Sequence, residues 1–332
     1  MRTADEIRAH YKSELLPQLK DLDGRRKKIL VGLIAADLVG AAMMALPLII
    51  SISAAMFFPE QSTALCCVGI IPAFLGIIVI GGAYHLMTKS YVSDFKRDVM
   101  GKIVKFMDEG LEYNPSSSVP MSTYHDSNIF QSHVDRSHGE DYVSGIVGKT
   151  KIEFSELHTE YKTQHTDSEG HRHTSWNTIF RGVFFVADFN KEFKGRTLVL
   201  PDTAEKTFGT AIGQFLQSKS IGRPDLVKLE DPEFEKLFVV YGNDQIEARY
   251  ILSTSLMSRM VDFRKKTGKK ISFSFTGSKV MVAIPFRENL FEPRILRSIV
   301  DPKQIEKYAE TLATVVGIVE DLNLNTRIWS KK

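Results

Sequence analysis

The apolar residues of this chain fall into three regimes: unbroken runs, helical spacing and strand-like alternation. The unbroken runs come first. From Ile29 to Phe58 the one charged residue is Asp37, and from Ala64 to Met87 there is none. A bilayer core takes about 20 apolar residues in helical form, so each run is long enough to span it, at about 30–58 and 64–87. The turn between them, Pro59-Glu60-Gln61-Ser62, is too short to hold a domain, and the two runs over 29–87 are predicted to form a transmembrane hairpin.

Helical spacing flanks the hairpin. Ile7, Tyr11, Leu15, Leu19 and Leu22 recur every three or four residues, which predicts a helix over 5–23 within an N-terminal segment 1–28, with Pro17 as a kink or restart. Val92, Phe95, Val99, Ile103, Phe106 and Met107 predict an amphipathic stalk helix over 88–111, stopped by Gly110 and Asn114-Pro115. Antiparallel spans leave the membrane side by side, so these two apolar stripes can face each other.

Residues 112–141 are polar and read as a linker or irregular lead-in. Alternation follows. Residues 142–147 and 151–161 flank Gly148-Lys149, 178–189 is dense in Phe and Val, and 197–200 is a short strand. Residues 164–175 read as a polar hairpin tip. Beyond them helices (206–217, 255–266 and the one opened by Asp301-Pro302) mix with strands (237–241, 271–275 and 279–285). Asp244 with Glu247 fits a capping box. Strands first and a mixture later predict a cytosolic α+β domain over 112–332, with a mainly antiparallel sheet and packed helices.

Charge then places the chain. Arg25-Arg26-Lys27-Lys28 precedes the first run, Lys89, Lys96 and Arg97 follow the second, and the turn has no basic residue. The positive-inside rule puts both termini in the cytoplasm, with the lipid bilayer as first partner. The 43 basic and 40 acidic residues nearly balance, which argues against a nucleic-acid binder. The two cysteines, Cys66 and Cys67, lie in the second run and leave no disulfide framework elsewhere.

Candidate chemistry is sparse. Seven of the nine histidines fall between His125 and His173. His171 and His173, two apart in extended chain, point the same way, and with His165 they are the candidate ligands of a divalent transition metal, to which Asp167 and Glu169 could add oxygens. The alternative is a solvated loop. Gly148-Lys149-Thr150 resembles the end of a phosphate-binding loop, but Val143 stands where that motif needs glycine. Arg264, Lys265, Lys266, Lys269 and Lys270 surround Gly268 and could meet a partner or an anionic leaflet. They also fit the last turn of a helix with its glycine cap. No Ser-His-Asp or Cys-His arrangement is found, so no catalytic or cofactor-binding residue is assigned.

Three segments resemble a known family. They are Phe180-Arg181-Gly182-Val183-Phe184 running into 189–195, Thr197-Leu198-Val199-Leu200-Pro201-Asp202, and 230–236 through Asp244 to Leu252. They are similar to the bacterial domain-of-unknown-function family 3137, whose members also carry an N-terminal transmembrane pair. The resemblance implies a bacterial inner-membrane protein, brings no catalytic residues, and suggests a LemA-type membrane protein as partner. The expected function is that of an inner-membrane-anchored protein whose cytosolic domain binds a protein or membrane surface. The alternatives are a membrane-associated, metal-dependent enzyme and an accessory subunit of a membrane complex. With both termini cytoplasmic, a phosphatase reporter fused after Lys332 should be inactive in a host whose periplasm alone supports it, and strong activity would reverse the topology.

Overall fold

The structure is a computed structural model and describes residues 6, 9–57, 62–168, 170–202 and 225–325. The helix expected over 206–217 and most of the turn after Phe58 lie outside the described residues. The chain divides into two compact units. One gathers residues 4–100 with 292–306, and the other gathers 101–291 with the C-terminal residues from 307.

The first unit is built on two long helices, α1 (Leu16–Phe57) and α2 (Ser62–Phe95). Both are long and apolar enough to cross a membrane. With 42 residues α1 runs about 63 Å, roughly twice a bilayer core. Val31, Leu38 and Ile49 on α1 and Ile71, Phe74 and Ile77 on α2 point outward. Pro17 has no N–H to donate to the preceding turn, and the chain widens there into a π-helical turn, Tyr11–Leu15, before α1 begins. The helices approach closely at Gly40 and Gly76. A Cβ on Gly40 would lie 2.9 Å from the Gly76 carbonyl oxygen, and one on Gly76 would lie 2.7 Å from that of Gly40. Small residues of this kind let helix backbones meet.

The polar ends of these helices are stitched together. Leu15, Leu19 and Leu22 are buried on one, as are Tyr91 and Phe95 on the other. Arg25 Nη2 donates to Asp94 Oδ2 at 2.7 Å. Residues 292–306, which carry no strand or helix signal before Asp301, lie against α1 and the π-helical turn before it. Tyr11 Oη donates to the Val300 carbonyl at 2.6 Å, Arg26 Nη1 to that of Ile295 at 2.9 Å, and Ser298 Oγ to Asp23 Oδ1 at 3.0 Å. Burial works against the Asp23 carboxylate, but hydrogen bonds from Arg26, Ser298 and Lys27 outweigh it and hold its pKa below the ordinary value. Arg26, one of the four basic residues before the first run, is thus buried and paired with Asp23 at 2.8 Å.

The second unit is α+β. Its strands are β1 (Leu111–Asn114), β2 (Arg136–Val147), β3 (Thr150–Thr166), β4 (Arg172–Asp188), β5 (Arg196–Pro201), β6 (Asp225–Val227), β7 (Phe238–Gly242), β8 (Ser272–Thr276) and β9 (Lys279–Pro285). They form one sheet in the order β1-β2-β3-β4-β9-β8-β5-β7-β6, and every neighbouring pair is antiparallel. From Val183 to Ala187 every side chain of β4 is buried, so both faces of the sheet are covered there. On one face Phe184 and Val186 join Tyr124, Val119, Leu157 and Met281 in a continuous core. On the other, the Phe185 ring stacks on Phe154 at 6.3 Å between centroids.

The region read as a linker is ordered structure. Residues 112–141 contain most of β1, a short helix (Met121–Asp126) and the first half of β2. Val119, Tyr124 and Ile129 fall at no helical or strand period, yet all three are buried. They reach the core from the short helix and the chain on either side of it, which alternation cannot reveal. The expected caps form in part. Asp244 Oδ1 accepts from the N–H groups of Ile246 and Glu247 at 2.9 Å, but the Glu247 carboxylate reaches Lys194 and Gly195 N–H instead of closing a capping box. Asp301 Oδ1 accepts from Lys303 N–H at 3.0 Å and opens the helix Pro302–Val316, which breaks at Gly317 before the short helix Ile318–Asp321.

Phe184, fully buried on the central strand, tests this core. Phe184→Ala should cost about 3–5 kcal/mol and lower the melting temperature of the purified full chain by roughly 10 °C, read by circular dichroism. A melt unchanged from wild type would show that the face bearing Tyr124 is not the core.

Candidate functional site

An open groove of about 1000 Å³ runs across the second unit. Phe130, Phe180, Leu290 and the Phe286 ring give it apolar walls. Arg181, Lys269, Lys270, Arg287 and Lys307 stand around it with one carboxylate, Glu288. The elements place these cations from separate parts of the chain. Arg181 is an exposed residue on β4, where the strand turns from its polar outer half into the buried run. Lys269 and Lys270 sit in the short connection into β8, Arg287 follows β9, and Lys307 lies on the helix Pro302–Val316.

Several of these charges are positioned. Arg181 Nη2 donates to Asn289 Oδ1 at 2.8 Å, and Lys269 Nζ sits 4.7 Å from the centre of the Phe286 ring. Lys307 reaches Glu288 at 3.6 Å, with both side chains exposed, so the pair is weak and leaves the groove's excess of positive charge in place. An anion entering here meets five cations and one like charge.

The basic cluster around Gly268 is divided by the fold. It belongs to the helix Thr254–Thr267, which ends in a glycine cap: Gly268 has φ of +64° and donates its N–H to the Arg264 carbonyl at 2.9 Å. Arg264 is turned inward, donating to the Leu237 carbonyl, with its guanidinium 4.9 Å from the Phe238 ring centre. Burial pushes its pKa down, opposed by the charge of Asp202. Lys265 is hydrogen-bonded to Glu233, and Lys266 Nζ lies 2.8 Å from Asp321 Oδ2. Lys269 and Lys270 are the members that reach the groove. Spacing along one helix end put all five together, whereas Arg181, Arg287 and Lys307 join the groove from far along the chain and carried no sequence signal.

The histidines are placed on a hairpin. β3 and β4 continue to Thr166 and from Arg172, so the tip is tighter than the polar stretch 164–175 suggested. His165 and His173 are directly paired across it. Asp167 Oδ2 lies 3.1 Å from His173 Nε2 and 3.3 Å from His171 Nδ1. Glu169 lies outside the described residues. Among the described residues, three metal-type donor atoms lie within 4.8 Å of one another at Glu140, Asp141 and Glu156. These carboxylates serve the fold: Tyr113 Oη donates to Asp141, and Leu290 N–H to Glu156 at 2.8 Å. Burial first, then the Asp141 charge, pushes the Tyr113 phenol well above its ordinary value. No spacing rule could find this trio, because a bulge between Glu140 and Val143 turns two neighbours toward β3.

Residues 178–324 match the family described as protein of unknown function, DUF3137. The likeness is to this stretch and not to the whole chain. All five groove cations fall inside the DUF3137 region, and the histidine tip falls before it. No curated protein matches the chain. Among solved structures, the crystal structure of the mycobacterial trehalose monomycolate transport factor A, TtfA, is similar over 65% of this chain and 96% of that one. The identity is 11% and the TM-score 0.32. A likeness of that size says nothing about a shared ligand.

The inward Arg264 and the outward Lys270 should separate in a stability assay. Arg264→Ala removes a charged donor from a carbonyl and a cation from a ring, and should destabilise by about 1.5–3 kcal/mol. Lys270→Ala should stay within about 0.5 kcal/mol of wild type. Denaturant titration of the full chain reads both, and equal effects would contradict the division of the cluster.

Proposed function

We propose that this chain is a membrane-anchored binding protein whose α+β unit grips an acidic partner. The observation behind it is the groove: five cations from four parts of the DUF3137 region, one carboxylate, and apolar walls. Apolar walls supply contact area, and rim charges speed encounter and choose the sign of the partner. A partner segment carrying carboxylates beside apolar side chains matches both features. The two helices long enough to cross a membrane support the anchor. Their outward apolar side chains suit lipid, and the basic residues on either side of the hairpin keep both chain ends in the cytoplasm.

A photo-crosslinking residue at Thr311, which lines the groove, tests the reading in the full chain in its native membrane. The expected product is a discrete adduct with an acidic protein. Its yield should fall by more than about tenfold in the variant Lys269→Glu, Lys270→Glu, Arg287→Glu, because like charges across an interface cost several kcal/mol. It should also fall as salt rises. An adduct whose yield ignores charge reversal would overturn an electrostatic grip.

A further inference from the structure

The outer half of the β3–β4 hairpin does no work for the core. β2 leaves β3 at Glu160 and β9 leaves β4 at Gly182, so from Tyr161 to Asn177 the two strands pair with each other alone. Most of their side chains are exposed. A two-stranded ribbon is marginal by itself. This one is fastened at its root, where Lys162 N–H donates to Asp135 Oδ2 at 2.8 Å and the Arg136 guanidinium lies 4.3 Å from the Trp176 ring centre. Nothing apolar at the tip explains the length of the ribbon.

What the tip carries is imidazole. The register sets His165 opposite His173, so both lie on one face of the ribbon. His171 follows two positions before His173, at the turn. Asp167 is locked into that turn: its Oδ1 accepts from His171 N–H at 2.8 Å, and its carbonyl accepts from Gly170 N–H at 3.1 Å. The other oxygen, Oδ2, then stands between His173 Nε2 at 3.1 Å and His171 Nδ1 at 3.3 Å. Zinc holds nitrogen and oxygen ligands at about 2.0–2.1 Å, which in a tetrahedron sets neighbouring donors about 3.3 Å apart. The two ring nitrogens stand 3.1 and 3.3 Å from the Asp167 oxygen, near that spacing, and the closer contact is a hydrogen bond that a bound ion would replace.

We propose that the tip is a binding site for a divalent transition-metal ion of the zinc type, with His171, His173 and Asp167 as ligands and His165 as the fourth. Three imidazoles and one carboxylate are the donor set such ions prefer over calcium or magnesium. Both rings at the turn are exposed, His171 at 69% and His173 at 68%, and exposed side chains change rotamer within nanoseconds. Closing the rings and His165 onto one ion therefore meets no packing barrier, and the backbone register that brings them together is in place. The site is separate from the groove and does not depend on the reading given for it.

The test uses the full chain, purified in detergent without a histidine tag. Zinc is titrated against a chromophoric competitor, and cobalt serves as a spectroscopic probe. The expected result is one ion per chain, with the intense visible bands of tetrahedral cobalt. Affinity should weaken by more than about tenfold in His173→Gln and in Asp167→Asn, and binding should vanish in the double variant His171→Gln, His173→Gln. Metal-free melting temperatures should match wild type, since the ribbon tip lies outside the core, and this keeps misfolding from imitating ligand loss. Wild-type protein that binds no zinc would overturn the proposal. So would zinc that survives the double variant but is lost in Glu156→Gln, which would assign the metal to the buried acidic trio instead.

Discussion

The α+β unit depends on one run of five side chains. Val183 to Ala187 are buried without alternation, and a strand of that kind has no face to give to water. It must lie inside the sheet and be roofed on both sides. The consequences spread outward. β3 and β9 pair on its two edges. One face takes Tyr124 from the short helix Met121–Asp126 and Val119 from the chain just before it, so the stretch before β2 is held against the sheet. Arg181, exposed just before the buried run, brings a charge from this strand to the groove.

Much of this was legible in the residue pattern, for identifiable reasons. The two apolar helices needed only run length. The hairpins around Gly148 and Gly277 needed alternation on either side of a turn, and the helix after Asp301 needed an N-cap followed by proline. Residues 112–141 were not legible, because Val119, Tyr124 and Ile129 enter the core at positions with no helical or strand period. The place of residues 292–306 was hidden for a different reason. They hold to Arg26 on α1 and to Tyr11 in the π-helical turn before it through the backbone carbonyls of Ile295 and Val300, and a carbonyl is present at every residue type.

The candidate site shows the same limit. Spacing along one helix end gathered Arg264 to Lys270, but it could not tell which cations the fold would use internally. Phe238 and the Leu237 carbonyl take Arg264, Glu233 takes Lys265 and Asp321 takes Lys266. Their replacements in the groove come from β4, from the segment after β9 and from a late helix, which only the tertiary fold brings together. The histidine tip is the converse case. His165 and His173 were legible as a local cluster, and the strand register that pairs them supplied the rest.

The allotment of residues 292–306 has a consequence for the covalent chain. Among the described residues the backbone passes between the two units three times, at 100/101, 291/292 and 306/307. Residues 4–100 join everything after them through the peptide bond 100/101 alone, so one nick there cuts their covalent link to the strands. Residues 292–306 would stay on the larger piece, with the Ile295 and Val300 carbonyls still held by Arg26 and Tyr11. A clipped molecule should therefore keep its two fragments together until that short segment lets go.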